Sequence, residues 1–334
     1  MTRIAILGGG SWGTALAILL GQSPKNHAVS LWVHDPEIAA AIRRDASNSV
    51  YLPGFRIPSQ VRATSDEREV LAGAEIVLGV VPSAYARTVY CRALPHLGPQ
   101  MALVSATKGL EPGSHARISE VISQVVSPRF PPRIAVLSGP SFAIEAARGD
   151  PTAVVLASPD PALAAFVQAE LSGPTFRLYT NEDVVGVESA SAMKNVIAIA
   201  AGACQGLGLG SNSLAALITR GLAEMTRLAV AQGGSAATLS GLAGLGDLVL
   251  TCTGALSRNR HVGVELAKGR ALAEILSGMR MVAEGVHTAA AVLASAATRG
   301  VEMPITEQVS EILAGKRAPA DAIRAIMDRP LKAE

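Results

Sequence analysis

Gly8-Gly9-Gly10-Ser11-Trp12-Gly13 follows the apolar run Arg3–Leu7 and opens the apolar helical segment Ser11–Gly21, and its reading decides the fold of this chain. The spacing is G-x-G-x-x-G between a strand and a helix, where each glycine has a physical task. Gly8 permits the tight turn, Gly10 lets backbone approach a pyrophosphate, and Gly13 lets helix and strand pack closely. The helix start, with Ser11 and Trp12, presents backbone N–H groups and the positive end of the helix dipole. A dinucleotide suits this arrangement.

Outward from that loop, short β-branched runs alternate with helical patterns as far as about residue 180. This is the pattern of parallel strands joined by helical crossovers. The expected strands are residues 3–7, 29–33, 61–64, 75–81, 101–105, 133–137, 152–157 and 176–179, with helices over 11–21, 36–44 and 83–94. After about residue 181 the strand signals stop. Segments 214–231, 262–267, 271–276, 288–298, 306–313 and 319–327 read as helices, and the glycine-rich stretches 202–210 and 241–246 as breaks between them. The expected class is α/β: a doubly wound sheet over residues 1–185, then an all-helical domain over 186–334.

A chain of 334 residues with 49% hydrophobic content can bury sizeable cores in about two domains. Its 29 Lys and Arg against 27 Asp and Glu leave a net charge of +2, which supplies no sequence-independent pull toward nucleic acid. Any anionic partner must be held locally. The mean hydropathy of +0.34 comes largely from alanine in short stretches, with no unbroken apolar run of roughly 18 residues, so no membrane span is expected. Cys91, Cys204 and Cys252 are odd in number and outside any CxxC or Cys/His spacing, which fits a reducing compartment. The six histidines form no H-x₃-H pair, so no metal is expected. Glycines interrupt the signal-peptide-like apolar N-terminus, and the expected location is cytoplasmic.

The second strand runs into Val33-His34-Asp35, where such folds read the adenine ribose. Asp35 would favour the free 2′-hydroxyl of NAD, and His34 could pair with the 2′-phosphate of NADP. Either residue could equally belong to a solvated turn before Pro36. The choice between the two nucleotides stays open.

Further segments extend the comparison: Gly10-Ser11-Trp12-Gly13-Thr14-Ala15-Leu16-Ala17, Tyr51-Leu52-Pro53-Gly54, Val81-Pro82-Ser83, Ser105-Ala106-Thr107-Lys108-Gly109-Leu110-Glu111 and Ser138-Gly139-Pro140-Ser141-Phe142-Ala143. The second half adds Lys194-Asn195-Val196-Ile197-Ala198, Gly241-Leu242-Ala243-Gly244-Leu245-Gly246-Asp247-Leu248, Thr251-Cys252-Thr253-Gly254, Ser257-Arg258-Asn259-Arg260 and Glu284-Gly285-Val286. In this order the chain resembles the bacterial NAD(P)-dependent glycerol-3-phosphate dehydrogenase family. The resemblance implies a Rossmann-type domain, then an all-helical domain like that of 6-phosphogluconate dehydrogenases, with the active site in the cleft between them. It implies reversible reduction of dihydroxyacetone phosphate by NAD(P)H, supply of glycerol 3-phosphate for phospholipid synthesis, and a homodimer. Two departures stand out. Ala190 and Ser191 replace glycines before the Lys-Asn pair, and His34 replaces a frequent arginine.

Reducing a ketone needs an acid or cation beside the developing alkoxide. Lys194 lies in an apolar stretch where desolvation would depress its pKa, and by resemblance it is the proton donor and acceptor. Lys108 follows a strand at the carboxyl edge of the sheet, a position for substrate and nicotinamide contacts. Gly139 and Ser141 follow the next strand, as substrate contacts or as a turn and helix cap, with Ala143 by the cofactor. The substrate phosphate calls for Ser257-Arg258-Asn259 at the start of a helical segment, with Arg258 also touching the cofactor. Asp247, read as lying in a glycine-rich turn, would orient Lys194, bind a substrate hydroxyl or cap a helix. By resemblance Val282 and Glu284 lie near the cofactor. A carboxylate-binding dehydrogenase of the same architecture and a non-catalytic nucleotide sensor are the competing readings.

Overall fold

The computed structural model describes residues 1–279 and 281–331; residue 280 and the last three residues of the expected second domain lie outside them. The chain divides into two compact units, Met1–Glu111 with Ala116–Val184, and Pro112–His115 with Val185–Glu334. The expected boundary at 185/186 contains no such excursion at 112–115.

Among the described residues, the first unit carries an eight-stranded sheet of order β10-β9-β8-β7-β6-β1-β2-β5. Its strands are β1 (Arg3–Leu7), β2 (Ala28–Trp32), β5 (Val61–Thr64), β6 (Ile76–Gly79), β7 (Ala102–Ser105), β8 (Arg133–Ser138), β9 (Thr152–Ala157) and β10 (Phe176–Asn181). Helices α1 (Ser11–Gly21), α2 (Pro36–Asp45), α3 (Glu67–Leu71), α4 (Ala86–Ala93), α5 (Ile118–Val126), α6 (Ala143–Arg148) and α7 (Pro161–Leu171) join them. Alternate residues of β1 serve opposite faces. Ile4 and Ile6 join a core with α1, while Ala5 and Leu7 join one with α4 and α5. Both faces are covered, so the central strands read as continuous apolar runs. The sheet order changes direction beside β1, the place where open α/β sheets bind ligands.

Two local expectations need correction. The sheet is not wholly parallel, because β9 runs antiparallel to β8, with Val136 opposite Ala157 and Ser138 opposite Val155. The link contains only the six-residue α6, which rises about 9 Å, against about 20 Å for a six-residue strand, too short to carry the chain back to the far edge. A two-stranded hairpin, β3 (Ser47–Asn48) with β4 (Leu52–Arg56), was also unanticipated. Pro53 and Gly54 inside β4 argue against a strand by propensity, and β3 is too short to show any period.

The described part of the second unit is helical: α8 (Val184–Gly206), α9 (Ser211–Ala231), α10 (Ala236–Leu239), α11 (Asp247–Thr253), α12 (Arg258–Ala267), α13 (Leu272–Ser277), α14 (Glu284–Ala297), α15 (Pro304–Leu313) and α16 (Pro319–Met327). Of the two glycine stretches, 202–210 does contain a break, at 207–210 between α8 and α9, but it begins later than expected. Gly202 lies inside α8, where a Cβ would stand 1.9 Å from the Arg260 carbonyl oxygen; reciprocally, a Cβ on Gly263 would stand 1.9 Å from that of Ile199. These glycines let α8 and α12 cross almost backbone to backbone. Likewise Leu242–Gly246 winds as a π-helical turn that runs directly into α11. By length and composition α8 could span a membrane, but 83% of its apolar window is buried, as in a core helix; segment 236–253 passes the same test with 44% buried.

Candidate active site

In the first unit the glycine loop has the geometry its spacing implies. Gly8 has φ +128°, and a Cβ there would stand 2.3 Å from the Val80 carbonyl oxygen. A Cβ on Gly13 would stand 1.8 Å from the Gly8 carbonyl oxygen, so only glycine lets the first turn of α1 pack this closely on the loop. Gly10 faces open space, and as the N-cap of α1 it provides no side-chain cap. An anion can therefore approach the backbone at the dipole's positive end. The Ser11 hydroxyl donates to the Tyr51 carbonyl at 2.5 Å, and the Trp12 ring packs edge-on against Phe176, so neither side chain is presented as a lone ligand contact.

Asn48 supports this loop and was not anticipated. Its buried amide donates to the Gly9 carbonyl and to the Thr14 hydroxyl, both at 2.9 Å. No local pattern points to it, because its partners lie over thirty residues away. At the end of β2, Asp35 caps α2, accepting from the N–H groups of Glu37 at 2.8 Å and Ile38 at 3.3 Å through one carboxylate oxygen. His34 is exposed and tilts against the Trp32 ring.

At the carboxyl ends of β7 and β8, Lys108, Gly139 and Ser141 come together. The Lys108 ammonium donates to the Gly139 carbonyl at 2.9 Å and lies 3.5 Å from the Ser141 hydroxyl, which itself donates to Gly139 at 3.0 Å. Gly139 has φ +140°, and β9 passes close beneath it, with Val154 Cα 3.0 Å from where a Cβ would lie. Ala143, half-buried, is the first residue of α6; Phe142, not Ser141, is its N-cap and provides no side-chain bond.

In the second unit the Lys194 side chain, from the middle of α8, reaches the start of α11. Its ammonium donates to Asp247 at 2.8 Å and to the Thr251 hydroxyl at 2.7 Å. Lys194, Asp247 and Thr251 are 5%, 1% and 4% exposed. Two expectations change here. Asp247 is the first residue of a helix, not part of a turn. Desolvation also does not act alone on Lys194, because a buried carboxylate beside it favours the ammonium. Thr251, to which no role was given, lies four residues beyond Asp247 on the same helical face, so the spacing could have found it. The neighbouring Cys252 thiol is pushed up to about 12 by burial, which leaves it inert.

Ser257 is the N-cap of α12, and its hydroxyl accepts from the Arg260 N–H at 3.3 Å. Arg258 is solvent-exposed and able to receive an anion, although the protein around it pushes its pKa down and Glu284 opposes that shift. Asn259 is buried and committed. It donates to the Asn195 side-chain oxygen at 2.9 Å and accepts from the Gly285 N–H at 3.0 Å, tying α8, α12 and α14 together. Glu284, half-buried, begins α14, and Val282 is exposed in the segment before it. Where the family resemblance led to an expectation of glycines, Ala190 and Ser191 are buried within α8, and the Ser191 hydroxyl donates to the Glu188 carbonyl at 2.9 Å.

Models of the N-terminal and C-terminal parts of NAD-dependent glycerol-3-phosphate dehydrogenase match residues 3–164 and 183–324. A glycerol-3-phosphate dehydrogenase (NAD(P)+) of Koribacter versatilis is 58% identical over 276 residues, covering 83% of this chain and 82% of the relative. One from Acidobacterium capsulatum is 54% identical over 280 residues, with 83% and 82% covered. Among solved structures, glycerol-3-phosphate dehydrogenase from Coxiella burnetii matches with a TM-score of 0.92 and 40% identity, covering 98% of this chain and 99% of that one.

Proposed function

The chain belongs to the NAD-dependent glycerol-3-phosphate dehydrogenase family, and from that premise we propose how its residues divide the reduction of dihydroxyacetone phosphate to sn-glycerol 3-phosphate. The protein is an NAD(P)-dependent oxidoreductase. Gly8, Gly10, Gly13 and the backbone of Ser11 and Trp12 hold the pyrophosphate; the open approach at Gly10 and the first turn of α1, which has no side-chain cap, support this. His34 and Asp35 flank the ribose, and Ala143, Arg258, Val282 and Glu284 contact the rest of the cofactor. When bound, NAD(P)H supplies the hydride that reduces C2 of the ketone.

The observation that carries the mechanism is the buried contact of Lys194 with Asp247 and Thr251. Held by these two oxygens, the ammonium is a positioned cation and proton donor for the substrate oxygen. It stabilises the negative charge that develops there and transfers its proton to it. Asp247 balances the charge and orients the amine, and Thr251 limits its rotation. Lys108, with Gly139 and Ser141, orients the polar substrate. The Arg258 guanidinium and the α12 N-terminus at Ser257 bind its phosphate. Asn259 contributes to the phosphate site by holding this helix start in place.

Supply of glycerol 3-phosphate to phospholipid synthesis, a homodimeric state and a cytoplasmic location belong to the same proposal and rest on the family resemblance. The reaction is tested by following NADH and NADPH absorbance with dihydroxyacetone phosphate, and with a 3-keto acid as the competing substrate class. Oxidation of the nucleotide only with the phosphorylated ketone is expected, and turnover only with the keto acid would overturn it.

A further inference from the structure

The loop that carries Lys108 is anchored on both sides of that residue. Before it, the buried Thr107 hydroxyl donates to the Val81 carbonyl at 2.8 Å. After it, Gly109 takes φ +128°, and Glu111 N–H donates to the Ala116 carbonyl at 3.0 Å, which closes the stem of the loop. The Glu111 carboxylate is 11% exposed, and Arg87 of α4 grips it with two parallel bonds, Nε to Oε1 at 2.8 Å and a terminal nitrogen to Oε2 at 2.7 Å. The same guanidinium donates to Gln124 of α5 at 2.7 Å. One side chain thus joins two helices to the loop, and the bond to Glu111 raises the pKa of Arg87.

Exposed ion pairs usually contribute little, because water screens them and both side chains lose freedom. This pair differs in two respects. Its geometry is bidentate, and its carboxylate is nearly buried, so removing the arginine takes away a two-bond clamp that water screens poorly and frees the loop to shift. Lys108 lies three residues from that carboxylate, and its ammonium must reach the Gly139 carbonyl at 2.9 Å. A displacement of a reacting or polarising group by about 1 Å can cost about a hundredfold in rate.

We propose that Arg87 and Glu111 are positioning residues, whose bidentate pair sets the loop geometry that aims Lys108. This rests on the role given to Lys108 above. The pair acts through the lysine rather than directly on substrate or cofactor. Arg87→Lys cannot replace it, since an ammonium lacks the planar fork.

The test is a double-mutant cycle in steady-state kinetics with dihydroxyacetone phosphate and NADH, together with NADH affinity by fluorescence titration and thermal melting. Arg87→Ala and Glu111→Gln are each expected to lower kcat/KM by about tenfold, Arg87→Lys to recover little of it, and NADH affinity to stay within about twofold. In a Lys108→Ala background, Arg87→Ala is expected to cause no further loss. An equal further loss there would make the pair merely structural and overturn the inference, as would near-normal kinetics for both single variants. Should Arg87→Ala fail to fold, Glu111→Gln, with the same shape and no charge, carries the same cycle. Full activity of Lys108→Ala itself would instead overturn the role of Lys108.

Discussion

Asn259 donates its side-chain N–H to the side-chain oxygen of Asn195 at 2.9 Å, so the residue after Arg258 is bonded to the residue after Lys194. The bond fixes the α12 start against the middle of α8, and the Gly285 N–H on the other side of the same amide adds α14. Removing it leaves two buried groups unsatisfied. Asn259→Ala is expected to lower the unfolding free energy by about 2–4 kcal/mol, read from urea denaturation. A loss below about 0.5 kcal/mol would show that water or relaxation replaces both bonds.

Lys194→Ala is expected to lower the turnover number by about 10²–10⁴ while cofactor affinity stays near its original value. Thr251→Val keeps the shape and removes one of the two recorded acceptors, so a smaller loss of about tenfold is expected, with little change in KM. Single-turnover kinetics and cofactor titration check both. Turnover near normal in Lys194→Ala would make Lys108 the acid.

Arg258→Ala is expected to raise KM for dihydroxyacetone phosphate by at least tenfold, because a guanidinium–phosphate contact is among the stronger polar interactions. Unphosphorylated dihydroxyacetone serves as the control. Equal slowing of both compounds would remove Arg258 as the phosphate anchor.

NADH and NADPH are both expected to be used, with discrimination below about a hundredfold, since His34 and Asp35 pull in opposite directions and each contact contributes about 1–3 kcal/mol. Asp35 holds α2 with the oxygen that accepts from Glu37 and Ile38, so Asp35→Asn preserves the cap while removing the charge. That variant is expected to improve NADPH affinity relative to NADH. No change in the ratio would mean that Asp35 acts as a cap alone.

Glu224 on α9 accepts from the N–H groups of Ile305 at 2.6 Å and Thr306 at 3.3 Å at the start of α15. Burial pushes its carboxyl up from 4.5 to about 7 in spite of these donors. Between those values the unfolded chain has released the proton and the folded chain retains it, so stability falls as pH rises from about 4.5 through about 7. The loss by pH 8 is at most about 3 kcal/mol. Thermal melting from pH 5 to 8 is expected to show this slope, and Glu224→Gln to flatten it. Parallel curves for the two proteins would assign the slope to other groups.

Much of this was legible from local pattern. The glycine loop was readable because its constraints act within six residues, and the central strands because burial on both faces writes continuous apolar runs. Lys194 stood out as a lone charge in an apolar stretch. Asn48, the Arg87–Glu111 pair and the Asn195–Asn259 bond were not readable, since each joins residues distant in sequence whose types are ordinary on any surface. Gly202 was placed in a break that in fact starts after Gly206, for a related reason. A glycine that permits two helices to cross looks the same in sequence as one that ends a helix.

The sequence by itself determined the α/β order, the dinucleotide loop and the identity of the chemical groups, because periodicity, glycine spacing and residue chemistry are local properties of the chain. Only the tertiary structure decided which donors meet which acceptors: that Asp247 begins a helix and faces Lys194, that Asn259 is committed to Asn195, that β9 runs against β8, and that Arg87 reaches Glu111. Those outcomes depend on which backbones can approach closely and on which buried polar groups remain to be paired once the cores have formed, and neither is fixed until distant segments pack.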